Sequence, residues 1–102
     1  MKYIEKLEDF NKEISTGITA IDFTATWCGP CKMISPVFEK LESKYPKAKF
    51  FKVDVDKGDE IAGSQGINAM PTFKVYNSGK MVGELVGASE KELEKLLQTH
   101  CA

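Results

Sequence analysis

The chain has 102 residues, of which 42% are hydrophobic and 28% are charged, and its formal net charge is −1. These values are ordinary for a globular protein and predict a single domain, residues 1–102, with one hydrophobic core. A net charge so close to zero creates no field that attracts nucleic acid or an anionic membrane, so neither is expected as a partner. The sequence contains no run of about 18 apolar residues, so no transmembrane helix is predicted.

The first half of the chain alternates helix and strand patterns. A short amphipathic helix is predicted over Glu8–Ile14, and the apolar, β-branched run Ile18–Thr24 predicts a buried strand. Apolar residues at helical spacing then predict a long helix over Pro30–Tyr45, which the following Pro46 ends. A second strand is predicted over Lys49–Val55.

The second half predicts a short helix, a hairpin and a closing helix. The short helix spans Asp59–Ser64, and the strands Thr72–Tyr76 and Lys80–Val86 flank an Asn-Ser-Gly turn that is typical of hairpins. Ser89 and Glu92 form a capping box at the start of the last helix. This order predicts an α/β fold in which helices cover both faces of a mixed sheet.

Two cysteines, Cys28 and Cys31, lie two residues apart in the segment TWCGPC, between a predicted strand and the long helix. With only one further cysteine, Cys101, the chain is a poor disulfide scaffold. A structural zinc site needs four ligands, and the remaining candidates, His100 and Cys101, are neighbours at the far end, so no metal is predicted. Unpaired N–H groups at a helix start stabilise a thiolate, and this position therefore favours a redox-active pair.

The last predicted helix contains the other two chemically reactive side chains. Cys101 is expected to be a frayed and inert thiol, with an intermolecular or regulatory disulfide as the alternative. His100 is expected to act as a favourable charge near the helix C-terminus and not as an acid–base group.

The segment DFTATWCGPCKMISP, residues 22–36, resembles the active-site segment of thioredoxins, and AMPTF, residues 69–73, resembles their Met/Ile-Pro-Thr loop. VGA, residues 86–88, matches the glycine that this family carries before its last helix. The likeness covers nearly the whole chain and implies a thioredoxin fold, with a central mixed sheet of about five strands flanked by about four helices. The Gly-Pro pair and the KMISP context resemble those of reducing, eukaryotic cytosolic members.

The resemblance implies a protein-disulfide reductase in which Cys28 is the exposed nucleophile and Cys31 resolves the mixed disulfide. It also implies that Asp22 is buried behind Cys31, where it helps to move the proton of that thiol. Lys52 would lie close to Asp22 and give modest electrostatic support. From the residues alone, Asp22 could equally lie on a solvated face, because strand faces alternate. For Lys52, an exposed strand lysine is the commoner case.

In the family the peptide bond before the matching proline is cis and faces the cysteines, and the same is implied for Pro71. The backbone of Met70 would then pair with an extended substrate segment. The remaining implied substrate contacts surround the cysteine pair. Together with Met70, the implied docking surface consists of Trp27, Gly29, Pro30, Gly87 and Ala88.

The resemblance also implies how the protein is used. No bound cofactor is expected, since NADPH would supply electrons indirectly through a thioredoxin reductase. The expected clients are disulfide-containing proteins of the peroxiredoxin or reductase type, and the expected state is a cytoplasmic monomer. The alternative is a redox-independent binding subunit or holdase on the same fold, in which the cysteine pair is incidental.

Overall fold

The computed structural model describes all residues from 1 to 102. Five strands form one mixed sheet in the order β1-β3-β2-β4-β5, and four α-helices connect or follow them. In chain order, the elements are β1 (Lys2–Tyr3), α1 (Leu7–Ile14), β2 (Ile18–Thr24), α2 (Gly29–Leu41), β3 (Ala48–Asp54), α3 (Asp59–Ser64), β4 (Thr72–Asn77), β5 (Lys80–Val86) and α4 (Glu90–Cys101).

Strand β2 lies at the centre of the sheet, between a parallel neighbour and an antiparallel one. Its Asp22 is in register with Lys52 of β3 on one side and with Phe73 of β4 on the other. Six of its seven residues are buried, because helices cover both faces of the central strands. The run Ile18–Thr24 is largely apolar because this central strand is covered on both faces.

The two faces of the sheet carry separate hydrophobic clusters. Helices α2 and α4 cover one face, where the ring of Phe38 lies between those of Phe50 and Phe73 at centroid distances of 5.1 and 5.4 Å. Helices α1 and α3 cover the other face, where Phe10 packs edge-on against Tyr76. Because side chains alternate along a strand, Asp22 points to the α2 face between the buried Ile21 and Phe23 of the opposite face.

The predicted mixed sheet with helices on both faces is confirmed, and most element boundaries agree within one or two residues. Two differences concern the secondary-structure elements. Strand β1 was not among the predicted elements, because a two-residue edge strand is too short for a periodic signal. The long helix ends at Leu41 and not at Tyr45, since a single 3₁₀ turn, Glu42–Lys44, completes the segment before Pro46.

The expectation that Cys101 is frayed is wrong. Helix α4 extends through Cys101, whose side chain is fully buried in the cluster under α2 and α4. Burial raises the pKa of this thiol to about 11. The same helix packs closely on β5, where a Cβ atom built on Gly83 would lie only 2.7 Å from the ring of His100 and 2.8 Å from Leu96.

Candidate active site

The cysteine pair lies at the N-terminus of α2, the longest helix, shortly after the central strand β2 ends. Cys28 is the N-cap residue of α2, and its Sγ accepts a hydrogen bond from the backbone N–H of Cys31 at 3.2 Å. Pro30 occupies the first turn, where a missing N–H leaves no bond unmade. The helix therefore directs an N–H group and the positive end of its dipole at the Cys28 sulfur, which favours the thiolate when the pair is reduced.

The two cysteines are joined by a disulfide, with a Cα–Cα distance of 5.3 Å. Cys28 is only 5% exposed and Cys31 is 1% exposed. The description of Cys28 as an exposed nucleophile therefore needs correction for this oxidised state: its sulfur is bonded to Cys31, and the residue is buried in a small cluster with Ala25 and Met70. Of the two cysteines it is still the more accessible.

Asp22 is completely buried beneath α2. Its Oδ2 accepts a hydrogen bond from the hydroxyl of Ser35 at 3.1 Å, whereas its Oδ1 has no hydrogen-bond partner. Burial raises the pKa of this carboxyl from 3.8 to about 6, although the Ser35 bond and the charge of Lys52 act in the opposite direction. The group can therefore gain or lose a proton near neutral pH.

Lys52 lies beside Asp22 on the neighbouring strand and is also buried, at 5% exposure. Its ammonium group forms an ion pair with Glu39 of α2, and it also lies 5.8 Å from the centre of the Tyr3 ring. The bond to Lys52 lowers the pKa of Glu39. The positive charge of Lys52 therefore has two acidic neighbours: the buried Asp22 below α2 and the partly exposed Glu39 on it.

The loop before β4, which contains Met70 and Pro71, has backbone groups without a hydrogen-bond partner. The Met70–Pro71 peptide bond is cis, and Met70 packs against the cysteine cluster. Met70 lies outside every helix and strand, and neither its N–H nor its carbonyl makes a hydrogen bond within the chain. Gly87 adopts a φ of +116° and donates its N–H to the carbonyl of Pro71 at 2.9 Å. That bond joins the loop between β5 and α4 to the loop that contains Pro71.

Trp27 directly precedes Cys28 in the chain and is 66% exposed. Its indole N–H donates to Oδ2 of Asp56 at 2.8 Å. Asp54 in turn accepts the backbone N–H of Asp56 at 2.8 Å, which fixes the turn that carries the indole's partner. An exposed tryptophan held in one orientation offers apolar contact area at little cost in conformational entropy.

The structure brings the candidate residues together around one end of the sheet. Asp22 and Lys52 lie beneath α2. Of the residues predicted to form a docking surface, Met70 packs against the cysteines and Gly87 is bonded to Pro71, while Trp27, Gly29 and Pro30 are chain neighbours of the pair and Ala88 follows Gly87. Three contributing side chains were not found from the sequence: Ser35, Glu39 and Asp56. The first two were detectable, because they follow Cys31 at four and eight residues along a predicted helix. The bond from Asp56 to Trp27 spans 29 residues and leaves no local signal.

No group of three or more His, Cys, Asp or Glu side chains is placed to hold a metal ion. No helix is long and apolar enough to cross a membrane.

A dithiol pair at a helix N-terminus, backed by a buried carboxyl and faced by a cis-proline loop, is an arrangement for exchanging disulfides. The fold and the site thus define the class: a dithiol–disulfide oxidoreductase.

Comparison with known proteins identifies the family within this class. The thioredoxin family model matches residues 2–99. A thioredoxin from Coprinus comatus is 49% identical over 105 residues, a match covering 100% of this chain and 99% of that protein. A solved thioredoxin from Plasmodium falciparum is 40% identical with a TM-score of 0.94, covering 97% of this chain and 98% of its own. The chain belongs to the thioredoxin family.

A further solved chain, 38% identical with a TM-score of 0.92, covers 97% of this chain and 94% of its own. It comes from work on how a yeast mitochondrial 1-Cys peroxiredoxin is resolved through glutathione and thioredoxin systems. Family membership confirms both the five-stranded thioredoxin fold and the predicted activity. The protein is a protein-disulfide oxidoreductase, a disulfide reductase whose redox-active pair is Cys28–Cys31.

Proposed function

We propose that the two cysteines have unequal roles in the reduction of a protein disulfide. The Cys28 thiolate attacks one sulfur of the substrate disulfide and forms a mixed disulfide, and the other substrate sulfur leaves as a thiolate. Cys31 then loses its proton to Asp22 and attacks the Cys28 sulfur. The Cys28–Cys31 bond forms, the mixed disulfide breaks, and two electrons have passed to the substrate.

The observation that carries this assignment is the capping geometry of α2. The Sγ of Cys28 accepts the N–H of Cys31, so the dipole and the unpaired amides of the helix favour negative charge on Cys28. Cys31 lies inside the first turn and is the less exposed of the two. Only a thiolate attacks a disulfide, which makes Cys28 the better first nucleophile.

Serine substitutions test this order. Both Cys28→Ser and Cys31→Ser should abolish turnover in insulin reduction, but only Cys31→Ser should accumulate a mixed disulfide, visible by mass spectrometry of the intact complex. A trap formed by Cys28→Ser instead would reverse the assignment. A redox-independent binding subunit or holdase, the alternative function, would keep its client binding in both variants.

The role of Asp22 is tested by removing its charge. In Asp22→Asn the attack by Cys28 should continue while the resolving step slows, since Cys31 loses its proton acceptor. Stopped-flow fluorescence of Trp27, which adjoins Cys28, would separate the two phases across the pH range. A resolving rate that is unchanged at every pH would contradict the proposal.

Substrate binding is assigned to the unpaired backbone of Met70 and to the surface around the pair. An extended substrate segment can bond to the free N–H and carbonyl of Met70, which recognises backbone and tolerates many side chains. Trp27, Gly29, Pro30 and Ala88 are exposed beside it. Replacing Pro71 by Ala should raise KM for insulin more than it lowers kcat, and an unchanged KM would count against this assignment.

For partners, we assign an NADPH-dependent thioredoxin reductase as the electron donor, since members of the family typically carry no bound cofactor. Peroxiredoxins are proposed as clients because a solved relative acts in a thiol system with one. Coupled assays with a purified reductase and a peroxiredoxin, following NADPH absorbance, test both assignments. No NADPH consumption above that of the Cys28→Ser variant would exclude the pair used.

The proposed setting is the cytosol, where the protein acts as a monomeric single domain. The support is the likeness of the active-site segment to cytosolic members, and the fold alone does not decide, because a structural relative belongs to a mitochondrial system. Fractionation of cells expressing the protein at its natural level tests the compartment. Light scattering of the reduced protein tests the oligomeric state.

A further inference from the structure

Helix α2 carries a row of three side chains toward the buried carboxyl. Cys31, Ser35 and Glu39 follow one another at intervals of four residues, so they lie on one face of the helix. Below them, Asp22 and Lys52 are neighbours across β2 and β3. Ser35 contacts Asp22 and Glu39 contacts Lys52, so the helix row and the sheet row are joined at two points.

The two oxygens of Asp22 are not equivalent in this arrangement. Oδ2 accepts the Ser35 hydroxyl at 3.1 Å, whereas Oδ1 is fully buried and has no partner. A buried polar atom without a partner is costly and rare, and a redox or catalytic role is one of the reasons for which a protein keeps one. Since Ser35 occupies Oδ2, Oδ1 is the oxygen that is left free to take a proton.

We infer that Ser35 is a positioning residue for the resolving step: its hydroxyl holds Oδ2 of Asp22, and this leaves Oδ1 to receive the proton of the Cys31 thiol. The inference rests on the proposed role of Asp22 and adds to it. In the step itself, the proton passes from the Cys31 sulfur to Oδ1, and the electron pair left on sulfur forms the bond to Cys28. The substrate thiolate is the leaving group.

The hydroxyl also stabilises the ionised carboxylate, because a hydrogen bond to a charged acceptor favours the charge. Lys52 acts in the same direction, and Glu39 acts against it through its own negative charge. The other elements around Asp22 contribute little charge. Phe73 of β4 is apolar, and the buried side chains of α4 on this face are two leucines and the Cys101 thiol.

The first measurement is a carbon-13 titration of the Asp22 carboxyl in the oxidised protein, where neither active-site cysteine titrates. Ser35→Ala should raise this pKa from about 6 by roughly one unit, since the lost bond is to a charged group. Ser35→Thr retains a hydroxyl and should restore it. Glu39→Gln should lower it, and Glu5→Gln, which removes an exposed carboxylate before α1, should leave it unchanged.

The second measurement is the resolving rate against pH in the reduced protein. For Ser35→Ala the midpoint of the rate profile should move up with the carboxyl pKa. At the wild-type midpoint, the ionised fraction of Asp22 should fall by about fivefold for a shift of roughly one unit. The rate of attack by Cys28 should not change. The threonine variant should return the profile to that of the wild type.

The outcomes separate this inference from the proposal beneath it. If Asp22→Asn does not slow resolution, the role of Asp22 fails, and that of Ser35 fails with it. If Asp22→Asn slows resolution but Ser35→Ala shifts neither the titration nor the rate profile, only the role of Ser35 is overturned. A shift in Ser35→Ala that threonine fails to reverse would assign the effect to packing and would also overturn it.

Discussion

Replacing Asp22 by Asn should change how stability depends on pH. The carboxyl has its ordinary pKa of 3.8 in the unfolded chain and one of about 6 in the folded protein. At pH values below 3.8 both states hold the proton, and the carboxyl contributes no difference. Between the two values the unfolded chain is ionised while the folded protein keeps the proton, so wild-type stability falls as pH rises.

The size of the effect follows from the two pKa values. At about 1.36 kcal/mol for each pH unit, the rise from 3.8 to about 6 corresponds to about 3 kcal/mol, fully expressed above about pH 6. Asp22 is completely buried, so solvent screening does not reduce the figure. Asn is neutral at every pH, and the stability of Asp22→Asn relative to wild type should therefore increase by about 3 kcal/mol from about pH 3 to about pH 7.

Urea unfolding of the two oxidised proteins at a series of pH values measures this difference. Comparing differences removes the contributions of the other titrating groups, which both proteins share. Glu5→Gln serves as the matched control, because it removes an exposed carboxylate and should follow the wild-type curve. Parallel stability curves for Asp22→Asn and wild type would refute the raised pKa, and with it the argument that Asp22 exchanges a proton near neutral pH.

Three further predictions concern packing and accessibility. Gly83→Ala should change the free energy of unfolding by less than about 1 kcal/mol, because the atoms that its Cβ would meet below 3 Å are the ends of the His100 and Leu96 side chains, which can move aside. Gly63→Ala, with open space inside α3, should stabilise the protein by about 0.5–1 kcal/mol, and thermal unfolding compares the two variants. In the native oxidised protein, Cys101 should not react with a thiol reagent, because it is buried, whereas in denaturant it should react. Fast labelling of the native protein would contradict this burial. Asp56→Ala should free the indole of Trp27, lower its fluorescence anisotropy and raise KM for insulin, while Asp56→Asn, which keeps an acceptor, should change less.

The elements that the sequence predicts well are those with a strong periodic pattern. The central strand Ile18–Thr24 and the strand Lys80–Val86 have the predicted limits, because turn residues or a change of period bound each of them. Strand β1 was missed because two residues carry no period. Cys101 was misjudged because position near a chain end is a poor guide to burial, and only the packing of α4 against α2 and the sheet shows that it is covered.

The site shows the same division. The spacing in TWCGPC and its place before a helix already favour a redox-active pair, since this chemistry depends on local geometry. The environment of Asp22 could not be predicted in the same way, because strand alternation alone left its face undecided. Its burial, the bond from Ser35 and the pairing of Lys52 with Glu39 depend on how α2 crosses β2 and β3. These are contacts between distant segments, and a single sequence shows their residue types without their distances.

The energetics of Asp22 connect these observations. On a face where α2 and α4 otherwise bury aromatic and aliphatic side chains, an apolar residue at this position would fold more stably than a carboxyl with an unpaired oxygen. The cost of about 3 kcal/mol above about pH 6 comes from the same raised proton affinity on which the proposed transfer of the Cys31 proton to Asp22 depends. A fully hydrogen-bonded carboxylate would remove the cost and also lower its pKa, leaving too weak a base for a thiol. One hydrogen bond, from Ser35 to Oδ2, therefore limits the cost to the fold, while the unpaired Oδ1 keeps the pKa high enough for the proposed proton transfer.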